Sequence, residues 1–323
     1  MAGNQFATTA VAVNMTTMKA VTYDRFGDDS VLAVSEQPVP PVGPGEVLVR
    51  VKAAGVNPVD WKVMSGGLAS LMVAQFPVVP GWDVAGVVES VGIDTVDYAV
   101  GDEVIAYARK DWVHGGTFAE FVTVPPRCLA RKPERLSWAE AGGLPLAGLT
   151  AYQVLHRLGL ASGKTVLIHG GAGGVGSFGV QIVVAEGARV IATASERNHD
   201  YLRSLGAEPV AYGDGLTERV RDLAPDGVDI VADFVGGVVP ATTAVLAEGG
   251  VHASITDPEV VGAGGQWMWV HPNPDDLAAL AELVESGAVN VEVAQTFALD
   301  QVADAFAQSR EGHTRGKLVI EVS

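Results

Sequence analysis

From Thr165 onward, short apolar runs alternate with amphipathic stretches along the chain. The runs Thr165–His169, Arg189–Ala194, Pro209–Tyr212, Val228–Phe234 and Gly250–Ile255 read as strands. The segments Val175–Glu186, Asn198–Leu205, Leu216–Leu223 and Pro240–Leu246 carry apolar residues at helical spacing and read as the helices between them. The strands are apolar at successive positions, as required when helices cover both faces of a parallel sheet. This alternation predicts right-handed βαβ units and an α/β, doubly wound parallel sheet. Gln266–Val270 is a candidate sixth strand, and a helix is expected over Asp275–Glu285.

Before Pro133 the pattern differs. Met18–Tyr23, Glu46–Ala53, Val84–Val91, Glu103–Ala106 and Phe118–Val124 are strand-like, and Glu46–Ala53 alternates after a Pro/Gly turn at Pro40–Gly45. Glycine and proline punctuate these runs at short intervals, which predicts a mostly β, barrel-like domain. Ser137 followed by Glu140 three residues later marks a helix start. The tail Lys317–Val322 is again strand-like and is expected to return to the first domain. The reading therefore divides the chain into one domain of residues 18–132 and 288–323, a second of 133–287, and an N-terminal extension of 1–17. Two domains suit 323 residues, because single cores stop growing near roughly 250–300.

Composition narrows the function classes. A formal net charge of −17 repels nucleic acid, so no nucleic-acid partner is expected. No run approaches the ~20 apolar residues of a membrane span, and no signal peptide is read at the start. The single cysteine, Cys128, permits neither an internal disulfide nor a cysteine zinc cluster, which points to a cytoplasmic protein.

The strongest local signal follows the first run of the second domain. Gly171, Gly173 and Gly176 satisfy GxGxxG within Gly171-Ala172-Gly173-Gly174-Val175-Gly176, after a strand and before a helix. In that context the first glycine makes a tight turn, the second admits a pyrophosphate, and the third lets helix and strand pack closely. The motif in this setting predicts the dinucleotide site of a Rossmann domain. Specificity should be set at the end of the next strand. Ala194 stands where an NAD site places its acid, while Ser195 and Arg197 offer donors to a 2′-phosphate and Tyr212 a phenol, which favours NADPH. Glu196 is the carboxylate that would favour NADH if it turned inward. The ends of the fourth and fifth strands, Phe234-Val235 and Ser254-Ile255, should line the nicotinamide side, since ligands sit beyond the carboxyl ends of parallel strands.

The motifs Ala54-Gly55-Val56-Asn57-Pro58-Val59-Asp60, Pro80-Gly81-Trp82-Asp83-Val84-Ala85-Gly86, Val100-Gly101-Asp102-Glu103-Val104 and Leu149-Thr150-Ala151-Tyr152 accompany the glycine turn. Together they make the chain similar to the medium-chain dehydrogenase/reductases, in their zinc-free quinone oxidoreductase branch, over nearly its whole length. The resemblance implies a GroES-like first domain. Its zinc enzymes carry Cys near the first motif and His-Glu in the second; here Asn57 and Trp82-Asp83 stand there, so no metal is expected. The stretch Asn57-Pro58-Val59-Asp60-Trp61-Lys62 resembles that of alkenal/enone reductases. It implies catalytic roles for Lys62 as a hydrogen-bond donor, for Asn57 as its orienter and for Asp60 in positioning the loop. The same resemblance places Asn57 and Thr150 near the nicotinamide, and Arg315 and Lys317 near the pyrophosphate.

Without a Lewis acid, a conjugated C=C bond or a quinone is an easier hydride partner than an alcohol. The expected activity is NADPH-dependent reduction of a quinone or α,β-unsaturated carbonyl compound. Two alternatives stay open: an enoyl reductase dedicated to one biosynthetic pathway, and a non-catalytic NADPH-binding regulatory protein. The apolar segment Val260–Val270 suggests a sheet edge paired across a two-fold axis, hence a homodimer.

Overall fold

A computed structural model describes residues 16–322. The expected extension over 1–17 lies outside the described residues, apart from its last two. Of these, Thr17 already pairs with Pro38 in the first strand.

In chain order the first unit contains β1 (Thr17–Thr22), β2 (Ala33–Pro38), β3 (Val47–Val56), α1 (Pro58–Met64), β4 (Ala74–Val79), β5 (Asp83–Val91), β6 (Glu103–Tyr107), β7 (Val113–Gly115), β8 (Phe121–Val124) and β9 (Leu129–Arg131). Two helices follow, α2 (Trp138–Gly143) and α3 (Pro145–Arg157). Ser137 and Glu140 form the expected capping box on α2. Then come β10 (Thr165–His169), α4 (Gly176–Ala185), β11 (Arg189–Ala194), α5 (His199–Ser204), β12 (Glu208–Ala211), α6 (Leu216–Leu223) and β13 (Val228–Asp233). The chain continues through α7 (Val239–Val245), β14 (Leu246–Ser254), β15 (Gln266–Trp267), α8 (Pro274–Glu285), β16 (Val293–Ala298), α9 (Val302–Glu311) and β17 (Lys317–Glu321).

Six parallel strands form one sheet in the order β12-β11-β10-β13-β14-β15. Val166, Leu167 and Ile168 of β10 have no exposed surface, so this central strand is covered on both faces. The strand order reverses beside β10, which opens a crevice beyond its carboxyl end. The expected sixth strand is shorter than read: β15 ends at Trp267.

The second sheet runs β16-β17-β3-β5-β6-β9, with β8 also paired to β3. Its strand β17 lies antiparallel to β3, Leu318 opposite Val56, so the tail does return to the β-rich unit. The expected strand over Phe118–Val124 starts only at Phe121, because Thr117 and Phe118 instead bond to Gly81 and Pro80. The β3–β17 pairing sets the start of β17 beside the end of β3 and faces both towards the glycine turn. Gly316 N donates to Ala172 O at 3.2 Å, tying the last loop to that turn.

Candidate active site

The crevice holds a cavity of about 620 Å³, within the size range of small-molecule sites. One wall is the turn after β10. Gly170 sits at φ +77°, a left-handed conformation that suits glycine. Its N–H bonds Thr193 Oγ1 at 3.0 Å, and Gly171 N bonds Thr193 O at 2.9 Å, which pins the turn to β11. A Cβ on Gly171 would fall 2.7 Å from Ala192 Cβ, and one on Gly176 would fall 2.1 Å from Gly170 O. Gly173 and Gly174 line the cavity with Val175 at the start of α4. Among the described residues, no acceptor takes the N–H groups of Gly174 and Val175. A turn that keeps donors open at a helix N-terminus fits the phosphates of a dinucleotide.

At one end of the cavity stand Ser195, Arg197, Asn198, Tyr212 and His313. Asn198 Nδ2 lies 3.4 Å from Ser195 Oγ, and Arg197 Nη2 donates to His313 O at 3.3 Å. Glu196 is exposed and does not line the cavity. Phe234 and Val235 line the wall above β13, together with Gly236. Ser254 and Ile255 lie behind that wall. Ser254 Oγ donates to Asp233 Oδ2 at 2.7 Å, and Asp233 Oδ1 accepts from the N–H groups of Val235 and Gly236, each at 2.9 Å. The two residues therefore brace the loop that lines the site, without lining it themselves. His169, a lining residue, is buried, which lowers its pKa to about 4 and keeps the ring neutral. Its place as the last residue of the strand before the glycine turn is the sequence signal for it.

At the other end a buried polar network lies beneath the cavity. Asn57 lines it and closes the N-terminus of α1, where its N–H donates to Asp60 Oδ2 at 2.8 Å. Asn57 Nδ2 donates to Asp83 Oδ2 at 2.8 Å, and its Oδ1 accepts from Lys317 Nζ. Lys317 also donates to Val56 O at 2.9 Å and lies 4.0 Å from Asp83. Asp83 Oδ1 accepts from Leu146 N at 2.7 Å, in the first turn of α3, where the helix dipole favours a carboxylate. Asp60, Asp83 and Lys317 are nearly inaccessible to solvent. Burial raises the pKa of both carboxyls, Asp60 to about 8, and lowers that of the Lys317 ammonium; the opposing charges of Lys317 and Asp83 limit their own shifts.

This geometry rearranges the roles expected for several residues. Lys317 lines the cavity with its stem, but its ammonium is spent on Val56, Asn57 and Asp83. Arg315 is exposed, lies outside the lining and pairs with Glu292 at 2.7 Å while its guanidinium sits 4.9 Å from the Tyr201 ring centroid. Lys62 is exposed on α1, outside the lining, with its ammonium 5.5 Å from the Trp61 ring centroid. Thr150 is buried in α3 and donates to Leu146 O at 2.7 Å. Asp60 is buried and does not line the cavity.

The chain matches the alcohol dehydrogenase GroES-like domain over residues 43–134 and the zinc-binding dehydrogenase domain over 205–320. It is 38% identical to a 2-methylene-furan-3-one reductase of Solanum lycopersicum, covering 94% of this chain and 79% of that protein. It is 37% identical to a chloroplastic NADPH-dependent alkenal/one oxidoreductase of Arabidopsis thaliana, over 96% of this chain and 83% of the relative. The solved quinone oxidoreductase of Coxiella burnetii superposes with a TM-score of 0.85 at 34% identity, covering 95% of this chain and all of that one. This chain belongs to the medium-chain dehydrogenase/reductases, in their quinone oxidoreductase branch.

Zinc, which the second domain's description implies, does not suit this medium-chain dehydrogenase/reductase. Trp82 offers an indole, the Asn57 amide is spent, and both Asp83 oxygens already accept hydrogen bonds beside the Lys317 ammonium. Among the described residues, no three His, Cys, Asp or Glu side chains converge as a metal site needs.

Proposed function

We propose that this chain is an NADPH-dependent reductase of quinones or α,β-unsaturated carbonyl compounds that works without zinc. The observation carrying this reading is the cavity lining that joins open phosphate donors at Gly174 and Val175 to Ser195 and Arg197 and to Asn57, whose amide is committed to Asp83 and Lys317. The NADPH and alkenal/one chemistry named for the Arabidopsis relative, and the quinone chemistry named for the Coxiella one, support it.

When bound, NADPH supplies the hydride. The chain's own task is to seat it: the glycine turn and the α4 N-terminus hold the phosphates, and Arg197, with Ser195, Asn198 and Tyr212 nearby, holds the 2′-phosphate. Ala147 and Val56 give the far end an apolar wall, and the closed Asn57–Lys317–Asp83 network keeps that end rigid without exposing a charge. Developing negative charge on a conjugated acceptor spreads onto its own oxygen, which lessens the need for a metal.

A consumption screen over 9,10-phenanthrenequinone, alkenals and simple enones, run with NADPH and with NADH, tests this reading. Turnover with NADPH is expected for at least one class. Tight NADPH binding with no acceptor reduced would favour the regulatory alternative instead. Arg197→Ala is expected to weaken NADPH binding by about 10–100-fold, the value of a charge-assisted contact, and to leave NADH binding nearly as it was. Equal losses for both cofactors would remove Arg197 from 2′-phosphate recognition.

We also propose a homodimer built through the β15 edge, where Trp267 is 45% and Val261 60% exposed at the end of the six-stranded sheet. Light scattering should give twice the chain mass; a monomer at micromolar concentration removes this arrangement. No described helix is long and apolar enough to cross a membrane. The single, buried thiol of Cys128 supports placement in the reducing cytoplasm.

A further inference from the structure

Besides the glycine turn, the cavity is walled by Pro58 at the start of α1 and by Ser309 in the last turn of α9. The two helices touch through a specific bond: the indole N–H of Trp61 donates to Ser309 Oγ at 3.2 Å. A serine hydroxyl has one proton to give. Because its oxygen accepts from Trp61, that proton is directed away from the indole, and among the described residues no protein acceptor takes it. Ser309 is half-buried and lines the cavity, so the open donor faces whatever fills it. Nearby polar groups are already committed: the Asn57 amide to Asp83 and Lys317, and the Lys317 ammonium to Val56 O and Asn57. Three residues beyond Ser309 begins the loop Gly312–Gly316, which is bonded to the glycine turn itself through Ala172 O. Ser309 therefore lines the same cavity as the open N–H groups of Gly174 and Val175, but from α9 rather than from the turn.

We propose that Ser309 is a second grip on the dinucleotide: its hydroxyl donates to the ribose–phosphate chain from α9, an element separate from the glycine turn, with Trp61 fixing the oxygen. This deepens the NADPH reading and rests on it. The turn alone holds the chain through its own N–H groups; a donor from a second element adds an independent contact to the part common to both dinucleotides, so its loss should show in affinity.

The test compares Ser309→Ala, Ser309→Thr and Trp61→Phe with the parent chain, by direct titration with NADPH and with NADH and by steady-state kinetics. Ser309→Ala is expected to weaken both cofactors by about the same factor, roughly tenfold for one hydrogen bond to a partly charged chain, with kcat falling much less. Equal loss for both cofactors is what separates this grip from the 2′-phosphate contacts of Arg197. Ser309→Thr, which keeps the hydroxyl, should restore most of the affinity. Trp61→Phe should lose less than Ser309→Ala, because the hydroxyl remains although no longer oriented. Wild-type-like titrations for Ser309→Ala would overturn the proposal. So would losses in Trp61→Phe matching those of Ser309→Ala, since the hydroxyl would then act only as a prop for the indole. If the parent chain itself fails to bind either dinucleotide, the NADPH reading falls first.

Discussion

Lys317→Met is expected to destabilise the protein by about 3–5 kcal/mol, the usual result of removing one partner from a buried ion pair. The Lys317 ammonium lies 4.0 Å from Asp83 and its charge also acts on Asp60, and all three groups are nearly inaccessible to solvent. Methionine fills the stem's volume but leaves Asp83 without its cation, and it leaves Val56 O and Asn57 Oδ1 without their donor. Such a loss should lower the melting temperature by roughly 5–10 °C in a chain of this size. The deficit should also depend on pH. In the parent chain Asp60 has a pKa raised to about 8, so the folded state holds its proton while the unfolded chain has lost it. That contribution to stability is fully present below the ordinary carboxylate range, and it fades as pH rises from about 4 through 8. In Lys317→Met the pKa of Asp83 should rise further, so the variant should approach the parent at pH 5 and fall far behind at pH 8. Adding Asp83→Asn, which keeps an acceptor for Leu146 N and removes the charge, should recover part of the loss. Thermal melts of the three chains at both pH values check this; a Lys317→Met curve that tracks the parent at pH 8 would show that the pair carries no such energy.

That network also marks the limit of what the sequence discloses. The strands Thr165–His169 and Arg189–Ala194 and the helix Leu216–Leu223 have the same bounds in the structure as in the reading. Each is an apolar or amphipathic run closed by glycine or polar residues, so local chemistry decides it. By contrast α3 is buried on nearly every side. Its exposed polar residues, His156 and Arg157, fall only in the last turn, so the buried start of the helix carries little polar patterning to read. In the site, residues fixed by a single strand end were legible: Gly173, Gly174, Val175, Ser195, Arg197, Tyr212, Phe234 and Val235 all line the cavity. Lys317 was read as a phosphate cation because its distance from Asn57, 260 residues away in sequence, is set only when β17 pairs with β3. Lys62 was read as facing the acceptor from its place in a motif. On the helix that follows Asn57, however, Val63 and Met64 take the buried face and Lys62 the exposed one. Ser309 had no local signal at all, since a lone serine near a helix end gains meaning only from Trp61 across the interface.

Gly176→Ala should all but abolish dinucleotide binding, with an affinity loss of about 100-fold or more, and should cost some stability as well. The new Cβ would lie 2.1 Å from Gly170 O, 2.7 Å from Gly170 C and 2.8 Å from Gly171 Cα. All three are backbone atoms, so no flexible side chain can yield. Relief requires moving the turn away from the α4 N-terminus, and the turn is pinned to β11 through Thr193. Strain of this kind in a packed site typically costs about 1–3 kcal/mol. The displaced N–H groups of Gly174 and Val175 would no longer meet a phosphate seated in the crevice, and shifts of about 1 Å in such a site cost on the order of 10²-fold. Gly173→Ala provides the contrast. There the nearest atom to a new Cβ is Gly170 O at 3.3 Å, so the fold needs only a slight adjustment, while the methyl group adds bulk to the lining where the phosphates are proposed to sit. Melting temperature and NADPH titration should therefore separate the two variants: Gly176→Ala loses both, Gly173→Ala loses binding alone. If both bind NADPH within twofold of the parent, the turn after β10 is not what holds the phosphates. If Gly173→Ala melts as low as Gly176→Ala, strain rather than lost access accounts for its binding defect.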